Sequence, residues 1–187
     1  MGDKEGTYYR TLYELVRLVN SSLEPATVLG NIVEQVARVL DAKACTIRLV
    51  DRQGKTLLAS AAYGLSSGYL RKGPVEIAKS KLDQQVLAGK VMQLADVCTD
   101  ERFQYPEAAK AECLASILVV PLTVEGRSIG VLRIYTAERR EFGNDEVEFV
   151  TVIANLCAIA IENARMHQAL KTDYELLTAY KYNIHEV

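Results

Sequence analysis

The chain has 187 residues, nearly half of them apolar and a quarter charged, with a net charge of -2. At this length folding buries roughly 70% of the extended-chain surface, so a core forms without a disulfide or metal staple. The near-neutral balance gives no broad attraction to nucleic acid or to an anionic membrane, and neither partner is expected.

The first 42 residues read as two helices. Tyr8, Leu12, Leu15, Val16 and Val19 recur at helical spacing until Asn20-Ser21-Ser22 breaks the pattern. Pro25 suits the first turn of a second helix, which carries Leu29, Ile32, Val33, Val36 and Leu40 on one stripe. The period then drops to two. Cys45, Ile47 and Leu49 alternate with Thr46, Arg48 and Val50, Asp51 to Gly54 form a turn, and Thr56 to Tyr63 return as the second arm of a hairpin.

Residues 64–74 are rich in Gly and Ser and read as a loop, followed by a short helix over 80–87 and a brief strand over 91–94. A polar connection, 96–106, leads into a helical turn or two ending at Cys113. The run 114–123 is β-branched and apolar, as in a strand buried on both faces, with Pro121 placed at a bulge or strand end. Glu125-Gly126 turns the chain into a second hairpin arm over 128–136. A long amphipathic helix runs from Asn144 to about residue 170, with helical patterning thinning towards Ile184. Asp145, Glu146 and Glu148 favour its N-terminal dipole.

Hairpin strands between terminal helices predict an α+β fold with a central antiparallel sheet. The N- and C-terminal helices should cover one sheet face. Short helices and loops would roof the other, where a pocket is expected. The expected division is a single domain over 1–170 and a helical extension over 171–187.

Four cysteines, Cys45, Cys98, Cys113 and Cys157, form no metal-type cluster. The N-terminus lacks the apolar stretch of a signal peptide. The longest apolar runs, 114–124 and 149–161, fall short of the about 18 residues that suggest a membrane span. A cytoplasmic protein with reduced thiols is the expectation.

Several segments resemble the GAF domain, a small-molecule sensor module of signalling proteins. They are Ala44-Cys45-Thr46-Ile47-Arg48-Leu49-Val50-Asp51, Asp96-Val97-Cys98-Thr99-Asp100-Glu101-Arg102-Phe103, Ser116-Ile117-Leu118-Val119-Val120-Pro121-Leu122 and Ile129-Gly130-Val131-Leu132-Arg133-Ile134-Tyr135. Phe142 with Asp145-Glu146, ahead of Ile161-Glu162-Asn163-Ala164-Arg165, completes the order over about residues 10–170. The resemblance implies a non-catalytic sensory domain that binds a small molecule and signals through its terminal helices. Bilin-binding relatives need a cysteine where this chain has Phe103-Gln104-Tyr105-Pro106, and haem-binding relatives need a pocket histidine. His167 and His185 both lie in the C-terminal part, so no metal, haem or bilin cofactor is expected.

Arg48 and Arg133 each interrupt an apolar strand, opposite Ile47 and Leu49 and opposite Leu132 and Ile134. A desolvated guanidinium needs an anionic partner, which is either an acidic neighbour or a carboxylate or phosphate ligand; snorkelling to the sheet margin is the third option. Asp96, Asp100, Arg102, Phe103 and Tyr105 form a polar and aromatic loop cluster, read either as recognition residues or as turn caps with a core plug. Tyr63 and Tyr69 are candidates to line the cavity or its lid. The ligand-site set is therefore Arg48, Tyr63, Asp96, Arg102, Phe103 and Arg133, for an unidentified small molecule with anions among the candidates.

Two rival functions stand beside this one. One branch of the fold reduces free methionine sulfoxide, and Cys98 and Cys113 flank the pocket loop, although residues 72–81 lack that enzyme's glycine-rich cysteine segment. The other rival is a dimerisation module without a ligand. A homodimer through the terminal helices is expected beside either function, the alternative being a monomer whose tail folds back or frays. Leu170, Tyr174, Leu177 and Ile184 continue a 3–4 spacing beyond the globular core, interrupted by Lys181, and Tyr8, Leu12 and Leu15 of the first helix would complete the bundle.

Overall fold

Pro25 occupies the first turn of a helix, as its missing N–H allows, and the helix it opens carries much of the core. The computed structural model describes residues 2–21 and 24–184, with the side chains of 4–20 and 24–178. Ser22, His185 and the side chains of Lys181 and Ile184 lie outside the described residues.

Helix α1 (Gly2–Ser21) buries Thr11 and Leu15 and packs Tyr8, Leu12, Leu18 and Val19 at the core margin. Val16, expected on this stripe, is exposed with Tyr9 and Tyr13. The buried line is 8, 11, 12, 15, 18, 19, and residue 16 lies about 100° round the helix from Leu15. Helix α2 (Pro25–Val39) buries Val28, Leu29, Ile32, Val33, Val36 and Ala37.

Six strands, β1 (Ala44–Val50), β2 (Thr56–Tyr63), β3 (Val75–Glu76), β4 (Met92–Leu94), β5 (Ser116–Val124) and β6 (Arg127–Thr136), form one antiparallel sheet ordered β3-β2-β1-β6-β5-β4. Pleat alternation divides its side chains. Cys45, Ile47, Leu118, Val120, Leu122, Leu132 and Ile134 meet α2 and the long helix α6 (Asn144–Ile184) in one core. Ala44, Leu57, Ile117, Val119, Val131 and Tyr135 meet the opposite roof. That roof consists of α3 (Ser67–Leu70), a 3-10 turn (Ile77–Lys79), α4 (Lys81–Leu87), α5 (Pro106–Ala111) and their loops. The α+β architecture is therefore the expected one.

Three details were not anticipated. Ser66 caps α3 by accepting a hydrogen bond from the Tyr69 N–H, so the expected loop 64–74 contains a helical turn. The edge strand β3 is two residues long, too short to leave a periodic signature. The β1–β2 register shifts between Ile47 and Arg48, leaving Ser60 unpaired as a bulge. Pro121 lies past the residues that β4 pairs and one residue before the register shift that leaves Ile129 of β6 unpaired, so its missing donor is tolerated there.

By length and composition Asn144–Thr178 is apolar enough to cross a membrane, which the separate apolar runs did not suggest. In the fold, Phe149, Val150, Ile153, Ala154, Cys157, Ala158 and Ile161 spend that apolar face on the core. No buried position follows Ile161 among the described residues.

Candidate ligand-binding site

Arg48 and Arg133 reach the roofed face from neighbouring strands. Arg133 pairs with Thr46 across β1 and β6, and Arg48 follows two residues along β1, so the pleat sends both guanidiniums to the same side. Both residues are 2% exposed. Their surroundings differ.

Arg133 is neutralised. Its Nη2 lies 2.6 Å from both oxygens of Asp83, itself buried at the start of α4, and its Nη1 donates to the Tyr135 hydroxyl at 3.3 Å. Burial disfavours the charged guanidinium, but the Asp83 carboxylate and Tyr135 outweigh that and raise its pKa. Ser80 holds Asp83 in place. Its hydroxyl donates to Asp83 Oδ2 at 2.6 Å while accepting from the Asp83 N–H at 3.3 Å.

Arg48 has no such partner. Nη1 donates to the Leu57 carbonyl at 3.3 Å, while Nε and Nη2 are buried without any hydrogen bond among the described residues. Burial, then the nearby Arg133, lower its pKa. A third cation, Lys72, sits in the roof with Nζ 3.7 Å from the Tyr69 ring centroid and 5.3 Å from that of Tyr105. It also donates to the Tyr69 carbonyl. Desolvation, then Arg48 and Arg133, bring its pKa from 10.5 down to about 7.

A cavity of about 300 Å³ opens beside this cluster, lined by Arg48, Leu58, Ala59, Leu70, Gly73 and Pro74, with Arg71 at its wall. Its rim is fixed by Tyr105, whose hydroxyl donates to the Pro74 carbonyl, and by Gly73, whose φ of 115° favours glycine. A larger depression of about 420 Å³ lies between α1 and the start of α6, lined by Lys4, Glu5, Tyr8 and 143–146. It holds no buried polar group lacking a partner among the described residues.

The other expected site residues are elsewhere. Tyr63 packs against the helix-side core, because the Ser60 bulge reverses the alternation that would have put it on the Leu57 face. Asp96 accepts from the Cys98 N–H and pairs with Arg139 at 2.5 Å. Arg102 forms a two-pronged pair with Asp100 through Nε at 2.9 Å and Nη2 at 2.6 Å. Phe103 is a buried plug of the roof core. None of these four lines the cavity. Asp83 and Lys72 were not singled out, although Asp83 is visible as an acid on the stripe of Leu82 and Val86, three residues after a capping Ser80.

Lys72 gives the site a pH signature. Between pH 7 and its ordinary value of 10.5 the unfolded chain keeps a proton that the folded chain has released, so this group makes stability rise with pH. Burial of Cys45 and Cys157 raises their thiol pKa values, which opposes the trend above their ordinary 9.0. Urea midpoints should therefore climb from pH 7 towards 9, and Lys72→Met should flatten the climb. Equal slopes in both proteins would remove Lys72 from the account.

The sequence of residues 22–162 matches a family model described as GAF domain. No curated protein sequence matches the chain at a significant level. Among solved structures, a GAF domain from a Coxiella burnetii phosphoenolpyruvate-protein phosphotransferase is similar at 22% identity and TM-score 0.77, covering 87% of this chain and 96% of that one. A domain of a sensor histidine kinase protein from Sinorhizobium meliloti is 24% identical with TM-score 0.67, over 78% and 95%. Free methionine-R-sulfoxide reductase from Neisseria meningitidis, in complex with its substrate, is 19% identical with TM-score 0.74, over 88% and 94%. At these identities the likeness shows a shared fold.

Proposed function

The chain belongs to the GAF domain family, and on that premise we propose that it is a non-catalytic sensory domain that binds a compact molecule under the roof and reports occupancy through its terminal helices. One observation carries this reading: Arg48, whose buried Nε and Nη2 have no hydrogen-bond partner among the described residues, is one of the residues lining a cavity of about 300 Å³. Asp83 gives Arg133 a carboxylate and leaves its Nε alone without a partner, whereas Arg48 has no carboxylate partner among the described residues. The roof's short elements can reposition around a ligand at small cost compared with the helix-side core. Native mass spectrometry of freshly purified protein should detect a small molecule that is lost on denaturation. A ligand-free protein whose cavity is closed by its own side chains would instead favour the dimerisation module.

The output surface is proposed to be a homodimer seam on α6. Leu170, Tyr174 and Leu177 are exposed at 70%, 72% and 66%. Val152, Ile159 and Met166 form a second exposed apolar line at seven-residue intervals, beside that of Leu170 and Leu177. Tyr8, Leu12 and Leu15 are used within the protomer, where Tyr8 stacks on Phe149 at 4.5 Å, so α1 would contribute Tyr9, Tyr13 and Val16 instead. Deleting residues 171–187 should lower the dimer fraction in sedimentation. An unchanged dimer would place the interface elsewhere, and a monomeric parent would remove it.

A thiol reductase is the second reading, favoured by the similarity to the Neisseria enzyme. Cys113 is exposed, and the half-buried Cys98 donates its S–H to the Leu114 carbonyl. Residues 72–81 hold no cysteine. Turnover of free methionine sulfoxide with dithiothreitol, abolished by Cys113→Ser, would establish it. All four thiols are free, consistent with a cytoplasmic setting.

A further inference from the structure

We propose that the cavity takes its ligand by a carboxylate, held on the free edge of the Arg48 guanidinium. The inference rests on the sensory reading and adds the class of ligand and the atoms that hold it. A guanidinium presents its donors in a fixed plane, and the Nε–H and Nη2–H edge offers two parallel donors that match the two oxygens of a carboxylate. Those are the two nitrogens of Arg48 that have no partner. Nη1, outside that edge, donates to the Leu57 carbonyl at 3.3 Å, which restrains the guanidinium's orientation. The fork is therefore unoccupied by protein but shut from solvent, and the neighbouring roof segment must shift to admit a carboxylate to it.

Charge points the same way. Arg48, Lys72 and Arg133 interact with one another, and Asp83 is the buried carboxylate among them, already held by Arg133. Lys72, protonated only part of the time near pH 7, has Glu112 nearby, so the unanswered positive charge is that of Arg48, which a bound monoanion neutralises. The Arg133 guanidinium cannot serve equally, since its Nη2 is taken. Leu58, Ala59, Leu70 and Pro74 supply an apolar wall for the rest of the molecule. A volume of about 300 Å³ is at the small end for ligand sites, so the ligand is compact.

Sodium propanoate is a suitable probe, with chloride holding ionic strength constant and propanamide as the uncharged control of the same shape. In isotope-labelled protein, propanoate should move the Arg48 Nε–H resonance and raise the melting temperature, and propanamide should do neither. Arg48→Lys keeps the charge without the fork and should weaken propanoate by about tenfold or more, the effect of one lost charged hydrogen bond. Arg48→Gln should abolish the response. An unmoved Nε–H resonance in the unmodified protein overturns the inference without relying on any variant, as does inorganic phosphate binding more tightly than propanoate. A molecule retained on purification equally by the parent and by Arg48→Gln would overturn it while leaving the sensory reading intact. Propanoate binding that leaves the α6 amide resonances unmoved would uphold the site and count against signalling through the helices.

Discussion

Asp83→Ala should cost about 3–5 kcal/mol of stability, the usual consequence of removing one partner of a buried ion pair. Arg133 would remain 2% exposed, its charge now facing Arg48 and Lys72 with no anion between them. The same substitution removes the side-chain partner of the Ser80 hydroxyl, so the α4 cap loosens as well. Asp83→Asn preserves volume and one acceptor but not the charge, and most of the loss should persist. The double variant Asp83→Ala with Arg133→Met tests the cause. If the penalty comes from the orphaned guanidinium, the second substitution should recover much of it. Urea unfolding at constant m measures all three. A loss below about 1 kcal/mol for Asp83→Ala would mean that water replaces the carboxylate and that the pair is not held in a dry interior.

The same contrast between paired and unpaired guanidiniums explains what could be read from the sequence. Arg48 and Arg133 interrupt equivalent apolar strands, and period-two alternation suffices to put them on one face. It does not distinguish them. One finds an internal carboxylate and the other does not, because α4 delivers Asp83 to β6 and nothing comparable to β1. The helix-side core was legible because each stripe repeats over several turns, although Val16 shows that a β-branched residue beside a stripe can be mistaken for part of it. The roof was hard to read, since its elements are two to seven residues long and set by single caps such as Ser66 and Ser80. Tyr63 was misplaced by one unpaired residue, Ser60, since a bulge reverses every later side chain on its strand. The Asp96 and Arg102 loop looked like a recognition surface because turn-capping and ligand-binding use the same residue types. Here the carboxylates are engaged by their own loop and by Arg139. Lys72 left no sequence signal, because its low pKa arises from burial in the roof and then from Arg48 and Arg133, which are distant along the chain.

Arg48→Met should make the ligand-free protein more stable, by about 1–4 kcal/mol, the range seen when buried charges give way to apolar side chains of similar volume. Two terms oppose each other. The substitution gives up one hydrogen bond to the Leu57 carbonyl, worth about 1–3 kcal/mol for a charged donor. It also removes a buried cation whose Nε and Nη2 have lost water without gaining a partner, a cost of several kcal/mol in protein interiors. Methionine's flexible chain can fill the vacated space against Leu57 and Leu58. Lys72 provides an internal check. With one of its two neighbouring cations gone, its pKa should rise from about 7 towards the ordinary 10.5, and the pH dependence of stability should shift with it. A variant less stable than the parent, with an unchanged Lys72 titration, would show that Arg48 is already compensated in the free protein. A gain in stability accompanied by loss of propanoate binding would mark Arg48 as a residue kept at the fold's expense, the expected relation between a binding group and the structure that must hold it ready.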